Sequence, residues 1–345
     1  MSGHGKAIDL FCGCGGLTEG LRQAGFDVIG AIDNDPHAVA TYRVNHPKTV
    51  IWATDITTVS PADVLNQLGL KQGELDLLAG CPPCQGFSVL SSKNGRHDQS
   101  SDWRNDLIFD FLRFVVEMNP KAVMLENVPG LYTDARFLKV RQMLESLGYF
   151  NDARIVDAAD YGVPQRRRRL VLIARRDAIP AFAVTDPDSK TVRSAIGTLA
   201  APGFSGDSAH DIEEHRSERI QALIKAIPTD GGSRSSLPSD QVLACHKKVT
   251  GFKDVYGRMA WDGLAPTITT GCFNPSRGRF LHPEQNRAIT LREAALLQSF
   301  PKSYLFPKFG KQVLARLIGN ALPPELIRRL ARSAFDGLTT REGSA

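Results

Sequence analysis

No uninterrupted apolar run in the 345-residue chain is long enough to cross a bilayer. Its first residues lack the charged-then-apolar pattern of a secretory signal, so the expected compartment is the cytoplasm. Cysteine is sparse, with only six residues, Cys12, Cys14, Cys81, Cys84, Cys245 and Cys272. A reducing compartment then argues against a disulfide framework. Cys81-x-x-Cys84 lacks a second ligand pair, because Cys12-x-Cys14 is too tightly spaced among glycines, so no metal site is expected. Neither sign of charge dominates: 42 Lys and Arg against 37 Asp and Glu leave a net charge of +5, which permits a nucleic-acid partner without establishing one. Internal repeats and low-complexity tracts are also missing. What remains is an ordinary soluble composition, 42% hydrophobic and 23% charged, with enough length for one large domain and a smaller one.

The first half alternates short apolar runs with helical spacing. Strands are expected over 7–11, 28–32, just before Asp55, 75–79, 122–125 and 170–174, with helices over 17–24, 36–45, 106–118 and 136–147 between them. Ser60-Pro61-Ala62-Asp63 opens a further helix with a capping serine, an N1 proline and an acidic N3 residue. This rhythm predicts an α/β fold, doubly wound around a mostly parallel sheet. From about 184 to 285 the rhythm breaks and Pro, Gly, Ser and Asp become frequent, which marks a second, smaller and irregular domain. Helical spacing returns over 291–300 and 324–335. The expected division is 1–183 with 312–340, against 184–311.

Two strand ends carry chemistry. The run Leu75–Ala79 leads into Gly80-Cys81-Pro82-Pro83-Cys84-Gln85, where two prolines stiffen the turn and hold a thiol at the carboxyl edge of the sheet. The first strand leads into Asp9-Leu10-Phe11-Cys12-Gly13-Cys14-Gly15-Gly16, whose glycines let backbone amides approach a ligand. Asp33, twenty residues beyond Gly13, stands where a carboxylate can meet ribose hydroxyls, and Asp55 adds an acceptor after the third strand. Thr18 occupies the last glycine position of a dinucleotide fingerprint, so a nicotinamide cofactor fits poorly.

Together these stretches resemble the DNA (cytosine-5) methyltransferase family over nearly the whole chain. The resemblance rests on Asp9–Gly16, Pro83-Cys84-Gln85, Glu126-Asn127-Val128, Gln165–Arg169, Arg292–Pro301 and Gly319-Asn320, in the family's order. It implies a Rossmann-like large domain, a small target-recognition domain, duplex DNA in the cleft between them, and S-adenosylmethionine as methyl donor with S-adenosylhomocysteine as product. It also implies that Phe11, Cys14, Gly15, Gly16, Asp33, Asn34, Asp55 and Ile56 contact the cofactor, joined by Pro83, Leu107, Asn320 and Ala321. Asn34 departs from the larger side chain usual there, Ala321-Leu322 from Ser-Val, and Cys81 from glycine.

Cytosine C5 is a poor nucleophile until a thiolate adds at C6, which makes Cys84 the expected nucleophile. The resemblance assigns Glu126 to cytosine N3 and the exocyclic amine, Arg169 to O2, and Arg167 to the loop or a phosphate. The base that removes the C5 proton is a water or a side chain. Because the target atom is hidden in a duplex, the base must flip out. Gln85, Ser88, Lys93 and Arg96 are the expected contacts of the loop that closes on it. The basic stretch 245–281, with Arg258 and Arg277, is the expected DNA-reading surface. Thr267, Thr269 and Thr270 there resemble the family's recognition loop.

The absence of a long regulatory region ahead of the first motif suggests a bacterial modification enzyme acting as a monomer, with a restriction endonuclease as possible companion. A tRNA cytosine methyltransferase of the same fold is the alternative, although Cys272-Phe273-Asn274 breaks that subfamily's Cys-Phe-Thr. A non-enzymatic nucleic-acid binder is the third reading, opposed by the intact Pro-Cys-Gln and Glu-Asn-Val.

Overall fold

A computed structural model describes residues 4–83, 102–186, 190–237, 254–336 and 338. The chain divides into two compact units, 1–158 with 168–185 and 322–345, and 159–167 with 186–321. The expected boundaries differ at 159–167 and 312–321, both of which belong to the second unit.

The first unit is built on strands β1 (Lys6–Leu10), β2 (Asp27–Ile32), β3 (Val50–Trp52), β4 (Leu77–Gly80), β5 (Ala122–Asn127), β6 (Phe150–Asp157) and β7 (Arg168–Arg175). Helices α1 (Gly16–Ala24), α2 (Pro36–Asn45), α3 (Pro61–Gln67), α4 (Leu107–Met118) and α5 (Ala135–Ser146) connect them. The strand order is β3-β2-β1-β4-β5-β7-β6, and only β7 runs against the others. The chain winds outward from β1 to β3 and then returns beside β1 as β4. The switch point at the carboxyl ends of β1 and β4 is therefore where open α/β sheets bind ligands.

β1 shows how the sequence sets the layers. Ile8 and Leu10 point into a core shared with Ile108, Phe111 and Val115 of α4, while Asp9 points the other way. The expected cap of α3 is present, with Ser60 accepting from Asp63 N at 3.3 Å, and Asp35 caps α2 by accepting from His37 N at 3.0 Å.

The strand β6 was not expected. Only Ala153 and Val156 along it are buried, and Asp152 and Arg154 pair with each other across one exposed face. As an edge strand it needs little apolar surface, so no hydrophobic run announces it.

In the second unit the described residues include four short helices, α6 (Val192–Ile196), α7 (Glu218–Ala226), α8 (Leu291–Leu297) and α9 (Lys311–Asn320), linked by long irregular segments. A capping box between Thr290 and Glu293 starts α8, and Arg287 braces the same glutamate with two bonds of 2.7 and 2.8 Å. A last helix, α10 (Pro324–Ala334), belongs to the first unit. There Arg175 of β7 donates to Ala334 O at 2.8 Å, a cation at a helix carboxyl end.

Candidate active site

The glycine-rich turn after β1 contains three left-handed residues, Phe11 (φ 60°), Gly13 (φ 55°) and Gly15 (φ 94°). Nothing lies within 4 Å of where a Gly13 side chain would begin, so the turn leaves open space over Gly13. Asp33, at the end of β2, holds the turn in place. Its Oδ2 accepts from Gly13 N and its Oδ1 from Asp35 N, each at 2.8 Å. The expected ribose ligand is thus also a brace for the loop.

A second brace comes from a residue that the sequence did not single out. His46 is almost fully buried at the end of α2, its ring 4.7 Å from that of Tyr42. Its Nδ1 accepts from Arg22 Nη1 at 3.1 Å, and the ring also bonds the backbone of Gly15. Arg22 is an obligate donor, so the imidazole is neutral and carries its proton on Nε2. Burial, with Arg22 adding to it, lowers the His46 pKa to about 4. The folded value lies below the ordinary 6.5, so this contribution is complete above pH 6.5 and is lost as the pH falls through 4. Asp9 has the opposite sign: burial raises its pKa to about 7, which favours the fold at lower pH. Comparison with a His46→Gln variant isolates the histidine. The stability of the wild type relative to that variant should decline by up to ~3 kcal/mol between pH 6.5 and 4, measured by urea unfolding. A flat difference would contradict the assignment.

The other expected cofactor residues of this unit surround the same strand ends. Asp55 caps the short helix after β3, its Oδ1 accepting from Thr57 N and Thr57 Oγ1 at 2.9 Å. Ile56 and Leu107 are buried, Gly16 is buried at the start of α1, and Asn34 is exposed. Cys14 is buried, and its thiol is pushed up to about 12, which removes it as a nucleophile at neutral pH.

At the carboxyl end of β5, Glu126 is 6% exposed. Its Oε1 lies 2.8 Å from Nε of Arg169 on the neighbouring strand β7. Arg166 and Arg168 are exposed whereas Arg167 and Arg169 are turned inward, the two-residue period of extended chain. Beside Glu126, Asn127 donates from Nδ2 to Pro82 O at 2.9 Å and accepts from Val128 N at 2.8 Å. Asn127 thereby fastens the turn after β4 to the end of β5. The Glu-Asn-Val motif contained this residue, but nothing in the sequence gave its partner.

Cys81 also ends β4, its amide bonded to Leu10 O at 3.2 Å. Burial, and then the Glu126 carboxylate, push its thiol well above the ordinary range. Of the two cysteines in Cys-Pro-Pro-Cys, Cys81 is therefore held as a thiol. Pro83 is half-buried. Cys84, Gln85, Ser88, Lys93 and Arg96 lie outside the described residues, as does most of 91–104.

In the second unit one expectation needs correction. Arg258 is completely buried and cannot read DNA. Its five N–H groups reach Ile224 O, Ile227 O, His282 O, Gln285 O and Asn286 Oδ1 at 2.6–3.0 Å, which makes it a structural hub. Arg167 is 2% exposed and donates to the carbonyls of Ile268, Gly319 and Ala321 at 2.9–3.1 Å, so of its two expected roles, the loop or a phosphate, these contacts match the first.

Around it, Gly319 permits a close approach, since a side chain there would begin 2.4 Å from the backbone of Thr269 and Thr270. Thr267 spends its hydroxyl proton on Arg166 O at 2.7 Å, and Thr269 Oγ1 accepts from Gly271 N at 3.3 Å. Thr270 and Arg277 are exposed. Asn320 is exposed at the end of α9, and Ala321 follows it.

The family model of C-5 cytosine-specific DNA methylases matches residues 5–336. The Type II methylase M.HgiDII of Herpetosiphon aurantiacus is 40% identical over 98% of both chains. The Type II methyltransferase M1.HphI of Haemophilus parahaemolyticus is 32% identical over 95% of this chain and 86% of its own. A solved E. coli structure of a prophage-encoded DNA modification methyltransferase superposes with a TM-score of 0.69 at 27% identity, covering 95% of this chain and 98% of that one. A glycine-rich turn open at the switch point, a carboxylate–guanidinium pair on adjacent strand ends and a match along almost the full length agree: this chain belongs to the C-5 cytosine-specific DNA methylases.

Proposed function

We propose that the protein methylates C5 of a cytosine within a specific duplex sequence, with Cys84 forming a transient bond to C6 of a flipped base. The observation that carries this reading is the buried Glu126–Arg169 pair at the ends of β5 and β7, beside the turn that Asn127 fastens at Pro82. A carboxyl and a planar guanidinium side by side match two adjacent edges of one pyrimidine, N3 with the amine and O2.

Thiolate addition at C6 moves an electron pair to C5 while Glu126 and Arg169 take up the charge that develops at N3 and O2. Once C5 carries the methyl group, loss of its proton to a water or a side chain returns an electron pair to the ring, and the C6–sulfur bond breaks to restore the double bond. The family implies an S-adenosylmethionine-type donor, which supplies an electrophilic methyl group. The residues suit it: the open space over Gly13, the Asp33 carboxylate and the apolar Ile56 and Leu107 would hold its polar and adenosyl parts. Asn320 and Ala321 are proposed to complete that set, and Gln85, Ser88, Lys93, Arg96, Thr270 and Arg277 to contact DNA.

The similarity to Type II methylases favours a DNA substrate over tRNA and supports a role as the modification partner of a restriction endonuclease. That it works as a cytoplasmic monomer is part of the same proposal. Incubating the enzyme and methyl donor with duplex DNA carrying 5-fluorocytosine should give a complex that survives denaturation, because elimination cannot occur without the C5 proton. Total tRNA should accept no methyl group in a parallel transfer assay, and a Cys84→Ser variant should give no DNA adduct. Absence of the DNA adduct, or its persistence in the variant, would overturn the mechanism.

A further inference from the structure

Among the described residues of the second unit, one cluster sets two cations against a single carboxylate. Arg216 Nη2 pairs with Glu214 Oε1 and donates to Phe273 O at 3.2 Å. Lys311 Nζ lies 4.0 Å from that same carboxylate oxygen and 5.4 Å from the centre of the Phe273 ring. Glu214 already accepts from Ala288 N through its other oxygen, at 3.3 Å. One carboxylate therefore serves two cations. Arg216 Nε is buried and finds no acceptor among the described residues.

A purely structural triad would be expected to balance its charge, or to place a surplus cation at the carboxyl end of a helix. Here Lys311 is the first residue of the ten-residue helix α9, at its positive end, where a cation is unfavourable. The preceding Gly310 offers no side-chain cap, and nothing lies within 4 Å of where its side chain would begin. Burial works against the charge on both Arg216 and Lys311, and Arg216 adds to the effect on Lys311. These features oppose one another in the protein alone and are relieved together by an anion.

We infer that Lys311, above the Phe273 ring, and Arg216, bonded to the Phe273 carbonyl, form a seat for one phosphate of the DNA backbone. Phe273 lies on the turn that continues the Thr267–Thr270 stretch, with Cys272 N bonded to Thr269 O at 3.1 Å and Asn274 N to Gly271 O at 2.9 Å. The exposed Arg277 lies beside it, its carbons 3.1 Å from where a Gly271 side chain would begin. A phosphate held there would position the backbone beside this turn without reading sequence. The inference rests on the DNA-modifying reading.

The test is the salt dependence of binding to a fluorescently labelled duplex, with the full-length chain. Each phosphate contact contributes about 0.9 to the slope of log K against log salt. Lys311→Gln should make the slope shallower by about one and weaken cognate and unrelated duplexes alike. Lys311→Arg, which keeps the charge, should retain the wild-type slope. An unchanged slope in Lys311→Gln, or an equal loss in Lys311→Arg, would overturn the seat while wild-type binding and the fluorocytosine adduct persist. Failure of wild type to bind DNA or form the adduct would instead remove the parent reading.

Discussion

Glu126→Gln should lower single-turnover methyl transfer by ~10²–10⁴-fold while duplex binding persists. Glutamine keeps the shape of the side chain at the end of β5 but cannot exchange a proton with cytosine N3. It also withdraws the negative charge that faces Arg169 at 2.8 Å. The guanidinium would then be partly buried without its counter-ion, so some loss of stability is expected as well. A thermal melt separates the two effects, because an unfolded variant would lose DNA binding too. Arg169→Lys gives the complementary measurement. A lysine preserves the charge but not the planar fork, and turnover should fall further than DNA affinity does. Wild-type turnover in Glu126→Gln would rule out its role in the chemistry.

Arg258→Met should produce the largest loss of stability. Methionine fills similar apolar volume but leaves the carbonyls of Ile224, Ile227, His282 and Gln285 and the Asn286 side chain without their donor. At ~1 kcal/mol for each hydrogen bond, the expected loss is on the order of 5 kcal/mol. For a unit of this size that corresponds to a fall in melting temperature of roughly 10 °C or more. DNA binding should disappear with the fold of the second unit, whereas Arg277→Gln at an exposed site should weaken binding without changing the melt. Retained stability in Arg258→Met, with a selective loss of DNA affinity, would restore the original view of Arg258 as a reading residue.

These two arginines show where sequence patterning reaches its limit. Arg258 and Arg277 stand in the same basic stretch, and composition cannot tell them apart. One satisfies five acceptors inside the unit while the other is exposed, a difference set by contacts with segments up to 34 residues away. The same holds for Arg167 and Arg169. The resemblance singled both out, but the carbonyls that claim Arg167 come from residues 268, 319 and 321. His46 left no signal at all, because its work is to neighbour Gly15 across 31 residues of chain. The strand β6 was missed since an edge strand can be polar on most of its length.

By itself the sequence determined the alternation of strands and helices, the glycine turn, the strand-end placement of Glu126 and the family's ordered motifs. Local spacing and turn chemistry act over a few residues, so they survive in one dimension. Only the tertiary structure decided which cations are used up by buried carbonyls, which residue fastens the turn after β4, and where positive charge is left in surplus. Those outcomes depend on acceptors brought together from distant parts of the chain, and a charge's role follows from its partners more than from its type.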